Sequence, residues 1–295
     1  MAAFKLTHWL AAARLRTLPL ACAVTLCGAL FAKQYHVYQP SVFWLSIATA
    51  IALQIFSNFA NDYGDALHGA DHDRSQAPMR MVAAGKISPT AMRIALVIHA
   101  LVCCLLGIAL LNAAASQHWG IWLLLGASAL VAAYTYTAGN KPYGYAGLGD
   151  LAVFVFFGWL GVAGSATLHS GQFQLLVLLP ASALGCWCVM VLNLNNMRDR
   201  ISDQQAGKRT LAVRLSARAA QHYHALLAGI ALLCWLGFLE QHFAPHIFWL
   251  SGLLLALTSQ HIIAVYRTPI AAAFDRLLPQ WSGTILLWVC LLWWV

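Results

Sequence analysis

From one end to the other, the chain alternates long apolar runs with short polar links. Nine runs read as candidate membrane spans, near 17–35, 41–61, 92–112, 119–138, 149–168, 173–194, 222–240, 246–266 and 279–295. Each is close to the roughly 20 residues that a helix needs to cross the hydrocarbon core. The runs are continuous, whereas strands of a membrane barrel would alternate apolar and polar positions. Backbone groups in lipid have to be satisfied within the segment itself. The pattern therefore predicts an all-α, polytopic membrane bundle of about nine transmembrane helices, with residues 1–295 as a single integral-membrane domain. The last run is the least regular, because Pro279 and Gly283 sit near its start.

Composition agrees with the pattern. Hydrophobic residues make up 61% of the chain and charged residues only 9%, against about a quarter charged in a soluble domain. That leaves too little polar surface to cover a water-exposed fold, so lipid has to be the solvent. The basic residues then orient the bundle. With the N-terminus inside, only Lys33 of the 17 Lys and Arg residues falls outside. The net charge of +8 is accounted for by this topology signal, with some attraction to anionic headgroups, and calls for no nucleic acid. The basic region extends to Arg16, which favours a retained first span over a cleaved signal peptide. Before that span, Phe4, Leu6, Trp9 and Leu10 with Lys5 and Arg14 suit a short amphipathic helix at the interface. The eight cysteines all lie in apolar runs without the paired spacing of a zinc site; they read as small packing residues.

The acidic residues are few and unevenly placed. Of the nine, all but Glu240 fall on the predicted cytoplasmic side. One cluster, Asn58-Phe-Ala-Asn61-Asp62-Tyr-Gly-Asp65, ends span 2 and is followed by Asp71 and Asp73. The other, Asn195-Asn196-Met-Arg198-Asp199-Arg-Ile-Ser-Asp203, ends span 6. Asn195, Asp199 and Asp203 are spaced by four and form one ridge on a helix. Asn61 with Asp65 repeats that spacing, and Asn58 with Asp62 repeats it one position round. Like charges so placed repel one another, so a helix that keeps them is expected to hold a cation. Hard oxygen ligands suit magnesium bridging to phosphate. One such cluster alone is ordinary for a solvated loop; two with matching spacing at matching ends point to function. They also suggest two pseudo-repeated four-helix halves plus one helix, facing each other across a cavity. Lys141, Arg198, Lys208 and Arg209 add cations suited to phosphate, while Arg74, Arg80, Arg214 and Arg218 read as topology signals.

Three segments carry a resemblance to a known family: Asn61-Asp62-Tyr-Gly-Asp65; Lys141-Pro-Tyr-Gly-Tyr-Ala-Gly-Leu-Gly-Asp150; and Asn193-Leu-Asn-Asn-Met-Arg-Asp199-Arg-Ile-Ser-Asp203 with Gly207-Lys208-Arg-Thr-Leu. With Arg14-Leu-Arg16-Thr-Leu-Pro-Leu and Phe156-Phe-Gly-Trp-Leu-Gly-Val-Ala-Gly-Ser165, the chain resembles the UbiA-type membrane prenyltransferases. Within them it is most similar to the branch that prenylates 1,4-dihydroxy-2-naphthoate in menaquinone biosynthesis. One departure is that Gly69 stands at the third position of the first motif, with Asp71 two residues later.

The resemblance implies a nine-helix bundle with cytoplasmic cap loops after spans 2 and 6, in a bacterial inner membrane. It implies transfer of a polyprenyl group from polyprenyl diphosphate to 1,4-dihydroxy-2-naphthoate, with loss of diphosphate and carbon dioxide. On this reading Asp62, Asp65, Asp71, Asp199 and Asp203 are the candidate magnesium ligands, and Asp65, Asp199, Asp203 and Lys141 the candidate catalytic set. Asn58, Asn61, Tyr136, Tyr143, Asn195, Arg198, Lys208, Arg14 and Arg16 are the candidate substrate contacts. Phe154, Phe156, Phe157 or Trp159 would face the allylic cation. Another aromatic acceptor, such as 4-hydroxybenzoate, is the alternative within the fold. A transporter of an anionic substrate is the alternative outside it, although that class would place charges near the bilayer midplane.

Overall fold

The structure is a computed structural model that describes residues 5–69, 80–242, 248–268 and 271–294. Among these residues the secondary structure is helical throughout. A short helix α1 (Leu6–Ala13) leads through a left-handed residue, Arg14, and a 3-10 turn into α2 (Leu18–Gln34). There follow α3 (Pro40–Leu67), α4 (Pro89–Ala113), α5 (Trp119–Thr135), α6 (Gly149–Ser170) and α7 (Leu178–Arg198). Two short helices, α8 (Arg200–Gln205) and α9 (Leu211–Arg214), precede α10 (Ala217–His242), α11 (Phe248–Arg267) and α12 (Phe274–Trp293).

Over its described residues, each predicted span overlaps one of these helices. Among the described residues, seven segments are long and apolar enough to cross a membrane: α2 (with α1 ahead of it), α3, α4, α6, α7, α10 and α11. Helix α5 is apolar but shorter, at 17 residues. Helix α12 starts before the predicted boundary, takes Asp275 into its first turn and carries Pro279 inside. The starts of α3 and α4 carry residues suited to a helix N-terminus. Pro40 and Pro89 stand in the first turns of α3 and α4, where a missing amide costs nothing. Ser88 caps α4 by accepting from the Ala91 N–H at 3.2 Å.

Small residues bring α2, α6 and α7 close together. A Cβ on Gly28 would stand 2.6 Å from the Val162 carbonyl oxygen, and one on Gly158 would stand 2.6 Å from that of Ala181. Between them α6 widens into a π-helical stretch, Phe154–Ala163, of the kind that often accompanies functional sites. The largest core cluster is built on Trp187 of α7, Trp235 and Phe238 of α10, Leu250 and Leu254 of α11, and Trp281 of α12, all 2% exposed or less. A second packs Phe56 and Phe59 of α3 against Met81, Val82 and Met92. The outer faces remain apolar: Leu105, Leu124 and Leu233 are 67%, 71% and 73% exposed. Such faces suit lipid rather than water.

The two ends of the bundle differ in charge. Asp65, Arg80, Lys208, Asp203, Arg16 and Asp275 meet at one end. Lys33 lies apart from them, donating to the Trp293 carbonyl at 2.6 Å.

Candidate active site

Helix α3 runs past the predicted span limit to Leu67, so its acidic segment is helical and its two four-residue ridges part by roughly one residue's rotation. Asn61 and Asp65 line a cavity. Asn58 and Asp62 face the flanking chain. Asn58 Nδ2 donates to the Ala13 carbonyl at 2.8 Å and to Thr17 Oγ1 at 3.1 Å. The Asp62 carboxylate accepts the backbone N–H groups of Met81 and Val82, both at 2.9 Å. These bonds hold Met81 and Val82 against the helix and place the adjoining Arg80 at the cavity mouth.

Asp65, 1% exposed, is the centre of that mouth. It accepts from Arg80 Nη2 at 2.9 Å, Lys208 Nζ at 2.8 Å and the Tyr145 hydroxyl at 3.0 Å. Lys208 Nζ is also 3.6 Å from Asp203, so one ammonium bridges the two acidic segments. The turn that places it closes by a Lys208 N–H to Asp203 carbonyl bond of 2.8 Å, with Gly207 in the left-handed region at φ 74°. The neighbouring Arg209 N–H donates to the Tyr145 carbonyl at 2.8 Å and pins the 3-10 turn Tyr143–Ala146 beside it. Two carboxylates and two cations here balance, which limits the cost of holding charge away from water.

The second acidic segment bends. Helix α7 ends at Arg198, and α8 begins at Arg200. Helix-like bonds nevertheless continue through Asp199, whose N–H donates to Asn195 and whose carbonyl accepts from Asp203. Asn195 and Asp203 line the cavity. Asp199 is held instead by a two-point pair from Arg198, at 2.7 and 2.9 Å. The same guanidinium donates to Asn195 Oδ1 at 2.7 Å and to Asp275. Arg16 reaches Asp275 at 3.0 and 2.9 Å and does not line the cavity, whereas Arg14 does.

Below the mouth the cavity, about 680 Å³, is lined mainly by apolar side chains. It extends to Ser46, Leu110, Leu111 and Leu168. Ser46 and Asp65 are nineteen residues apart on α3, about 28 Å of helix. Phe156 and Phe157 stand in the wall. Phe154 and Trp159 do not; they pack edge-on against each other, and the Trp159 indole donates to Ser182 at 3.2 Å. Tyr136 and Tyr143 meet edge to face at the mouth, with ring centres 5.4 Å apart. Burial pushes the Tyr143 phenol up to about 12, so it is neutral and able to donate at physiological pH.

The predicted residues therefore divide. Asn61, Asp65, Asn195, Asp203, Lys208, Tyr136, Tyr143 and Arg14 share the cavity. Asn58, Asp62, Asp199, Arg198 and Arg16 lie behind it, engaged with neighbouring chain. Lys141 is exposed and outside the lining, because the link that carries it docks through Tyr145 instead. Asp71 lies outside the described residues. Arg80, read from the sequence as a topology charge, is 6% exposed and paired with Asp65. Its place inside the apolar stretch Met79-Arg80-Met81-Val82 is the signal that could have marked it.

No three His, Cys, Asp or Glu side chains among the described residues gather closely enough to hold a metal alone. The donors that face the cavity are carboxylates of Asp65 and Asp203 and amides of Asn61 and Asn195. Magnesium commonly takes one or two carboxylates and completes its shell with water and phosphate oxygens. The set fits magnesium carried with a diphosphate.

A profile of the UbiA prenyltransferase family matches residues 21–293. The 1,4-dihydroxy-2-naphthoate octaprenyltransferase of Escherichia coli K12 is 44% identical over 228 residues, covering 77% of this chain and 74% of that one. Its namesake from Haemophilus influenzae is 38% identical over 287 residues, covering 96% and 93%. In fold, the chain is similar to a UbiA homologue from Archaeoglobus fulgidus solved with DMAPP and Mg2+, with a TM-score of 0.63 and 15% identity over 97% of this chain and 99% of that one.

Proposed function

The chain belongs to the UbiA prenyltransferase family, and on that premise we propose that it transfers a polyprenyl group from polyprenyl diphosphate to 1,4-dihydroxy-2-naphthoate. Diphosphate and carbon dioxide leave, and the product is demethylmenaquinol, the quinol form, because the exchange of carboxylate for prenyl group leaves both ring hydroxyls reduced. The observation that carries this reading is the shape of the cavity, with paired carboxylates and cations at its mouth and a long apolar interior beneath. A charged headgroup and a polyprenyl tail match those two parts.

Asp65 and Asp203, with the amide oxygens of Asn61 and Asn195, would hold magnesium at the mouth. The bound ion supplies Lewis-acid neutralisation of charge on the departing diphosphate. Lys208 and Arg80 add fixed positive charge at the same place, where a dry and preorganised setting makes it most effective. As the carbon–oxygen bond breaks, the allylic carbon becomes cationic, and the faces of Phe156 and Phe157 are suited to stabilise it. The apolar wall excludes water that would otherwise capture the cation. The naphthoate ring then attacks through its carboxylated carbon, and loss of carbon dioxide restores aromaticity. Arg14 and the neutral Tyr143 at the mouth are suited to hold the acceptor's carboxylate and hydroxyl groups. The membrane placement we propose has the N-terminus and this mouth in the cytoplasm of a bacterial inner membrane, supported by the segregation of basic residues.

The test uses protein purified in detergent, 1,4-dihydroxy-2-naphthoate, a polyprenyl diphosphate and magnesium, with and without chelator. Magnesium-dependent demethylmenaquinol, followed by mass as the quinone to which air oxidises it, is the expected result. Prenylation of 4-hydroxybenzoate in its place would overturn the acceptor, and silence with every aromatic acceptor would overturn the activity.

A further inference from the structure

Asp275, in the first turn of α12, belongs to neither acidic segment, yet it is joined to one. It receives Arg16 Nη1 on both oxygens, at 3.0 and 2.9 Å, and Arg198 Nη1 on Oδ1. Arg198 comes from the end of α7 and is itself divided. Its Nε and Nη2 hold both oxygens of Asp199, and Nη2 also covers Asn195 Oδ1. The Arg198 and Asp199 side chains are each 2% exposed, whereas those of Arg16 and Asp275 are 32% and 31% exposed.

One buried guanidinium therefore masks the oxygens that Asp199 and Asn195 could offer a ligand, leaving Asp203 as the carboxylate of the second acidic segment that already faces the cavity. It cannot simply let go, because a buried cation without a partner is strongly unfavourable. Asp275 is the second partner already in place. We propose that Asp275 is a positioning residue that takes over Arg198 when magnesium and diphosphate bind, releasing Asp199 and Asn195 toward them. The inference rests on reading the mouth as a magnesium–diphosphate site. Arg16 competes for Asp275 from its exposed side, so it sets how strongly Asp275 can draw on Arg198.

The arrangement makes opposite demands of the two outer residues. Without the Asp275 charge, Arg198 has Asp199 as its main partner and grips it harder. Without Arg16, Asp275 is left to Arg198, and the grip on Asp199 loosens. If Asp275 only braced the N-terminal turn against α12, either change would break the same bridge and have the same effect.

The experiment measures binding of an unreactive prenyl thiolodiphosphate to the full-length protein in detergent across a magnesium titration. Thermal stability without magnesium is recorded alongside. Asp275→Asn is expected to raise the magnesium concentration for half-saturation about tenfold, in keeping with the loss of one close charge pair. Asp275→Glu should restore it to within about twofold, and Arg16→Gln should leave it at or below the wild-type value. Equal weakening by Asp275→Asn and Arg16→Gln, or no change in Asp275→Asn, would overturn the proposal. If Asp275→Asn does not accumulate as folded protein, Arg16→Gln decides alone, since bracing requires it to weaken binding. A wild-type protein that binds the analogue without regard to magnesium would instead overturn the reading of the site beneath the proposal.

Discussion

Removing the Asp62 carboxylate should open the link that carries Arg80 rather than empty a metal site. Asp62 is 2% exposed, and each of its oxygens accepts one backbone N–H, from Met81 and Val82 at 2.9 Å. Hydrogen bonds to a charged group contribute roughly 1.5–3 kcal/mol each. Met81 and Val82 are themselves buried, so Asp62→Ala leaves two amides without acceptors in a place water reaches poorly. Allowing for local relaxation, the closed form of this link should lose about 3 kcal/mol, a factor of roughly 10² in its opening equilibrium. Asp62→Asn keeps one acceptor and should lose about half as much, roughly a tenfold change. Hydrogen–deuterium exchange of peptides spanning residues 80–88 reads this directly, because the amides concerned are those of Met81 and Val82. Activity should fall in parallel as Arg80 leaves Asp65. The reasoning is refuted if Asp62→Ala exchanges like wild type over these peptides but has lost magnesium-dependent ligand binding. Asp62 would then be a ligand.

Other outcomes follow from the same geometry. Asp65→Ala and Asp203→Ala should each abolish product while the folded protein remains in the membrane, checked by turnover and by size-exclusion profile. Lys208→Met removes the ammonium shared by Asp65 and Asp203, so kcat should drop about 10²-fold or more, with Lys208→Arg retaining part of it. Ser46→Trp fills the far end of the cavity and should favour shorter prenyl diphosphates in a competition assay read by product mass. Gly64→Val should lower the thermal midpoint, because a Cβ there would stand 2.5 Å from the Thr137 carbonyl carbon where the link after α5 crosses α3.

The long helices were legible in the sequence because burial in lipid is a one-dimensional signal. Apolar runs of the right length predict the helices regardless of which neighbours they meet. Residue spacing alone also placed Asn61 with Asp65, and Asn195 with Asp203, since positions on one helical face move together. The same rule could not say which of two adjacent ridges faces a cavity. In α3 the packing of Ala13, Met81 and Val82 decided that Asn58 and Asp62 turn away. At Asp199 the single ridge expected from the spacing is bent, and Arg198 takes both carboxylate oxygens.

The cations were least legible. Lysine and arginine on the links signal topology in the same way whether they point to solvent or into the mouth. Lys141 and Arg80 exchanged their expected places because the Tyr143–Ala146 turn docks by Tyr145 and the link after α3 closes on Asp62. What the sequence by itself determined, then, was a bundle of apolar helices with its carboxylates gathered at one end. Tertiary structure alone decided which cation meets which carboxylate, because those partners lie 15 to 143 positions apart for Asp65 and 77 to 259 for Asp275. Contacts at such separations depend on where whole helices pack, which no local pattern encodes.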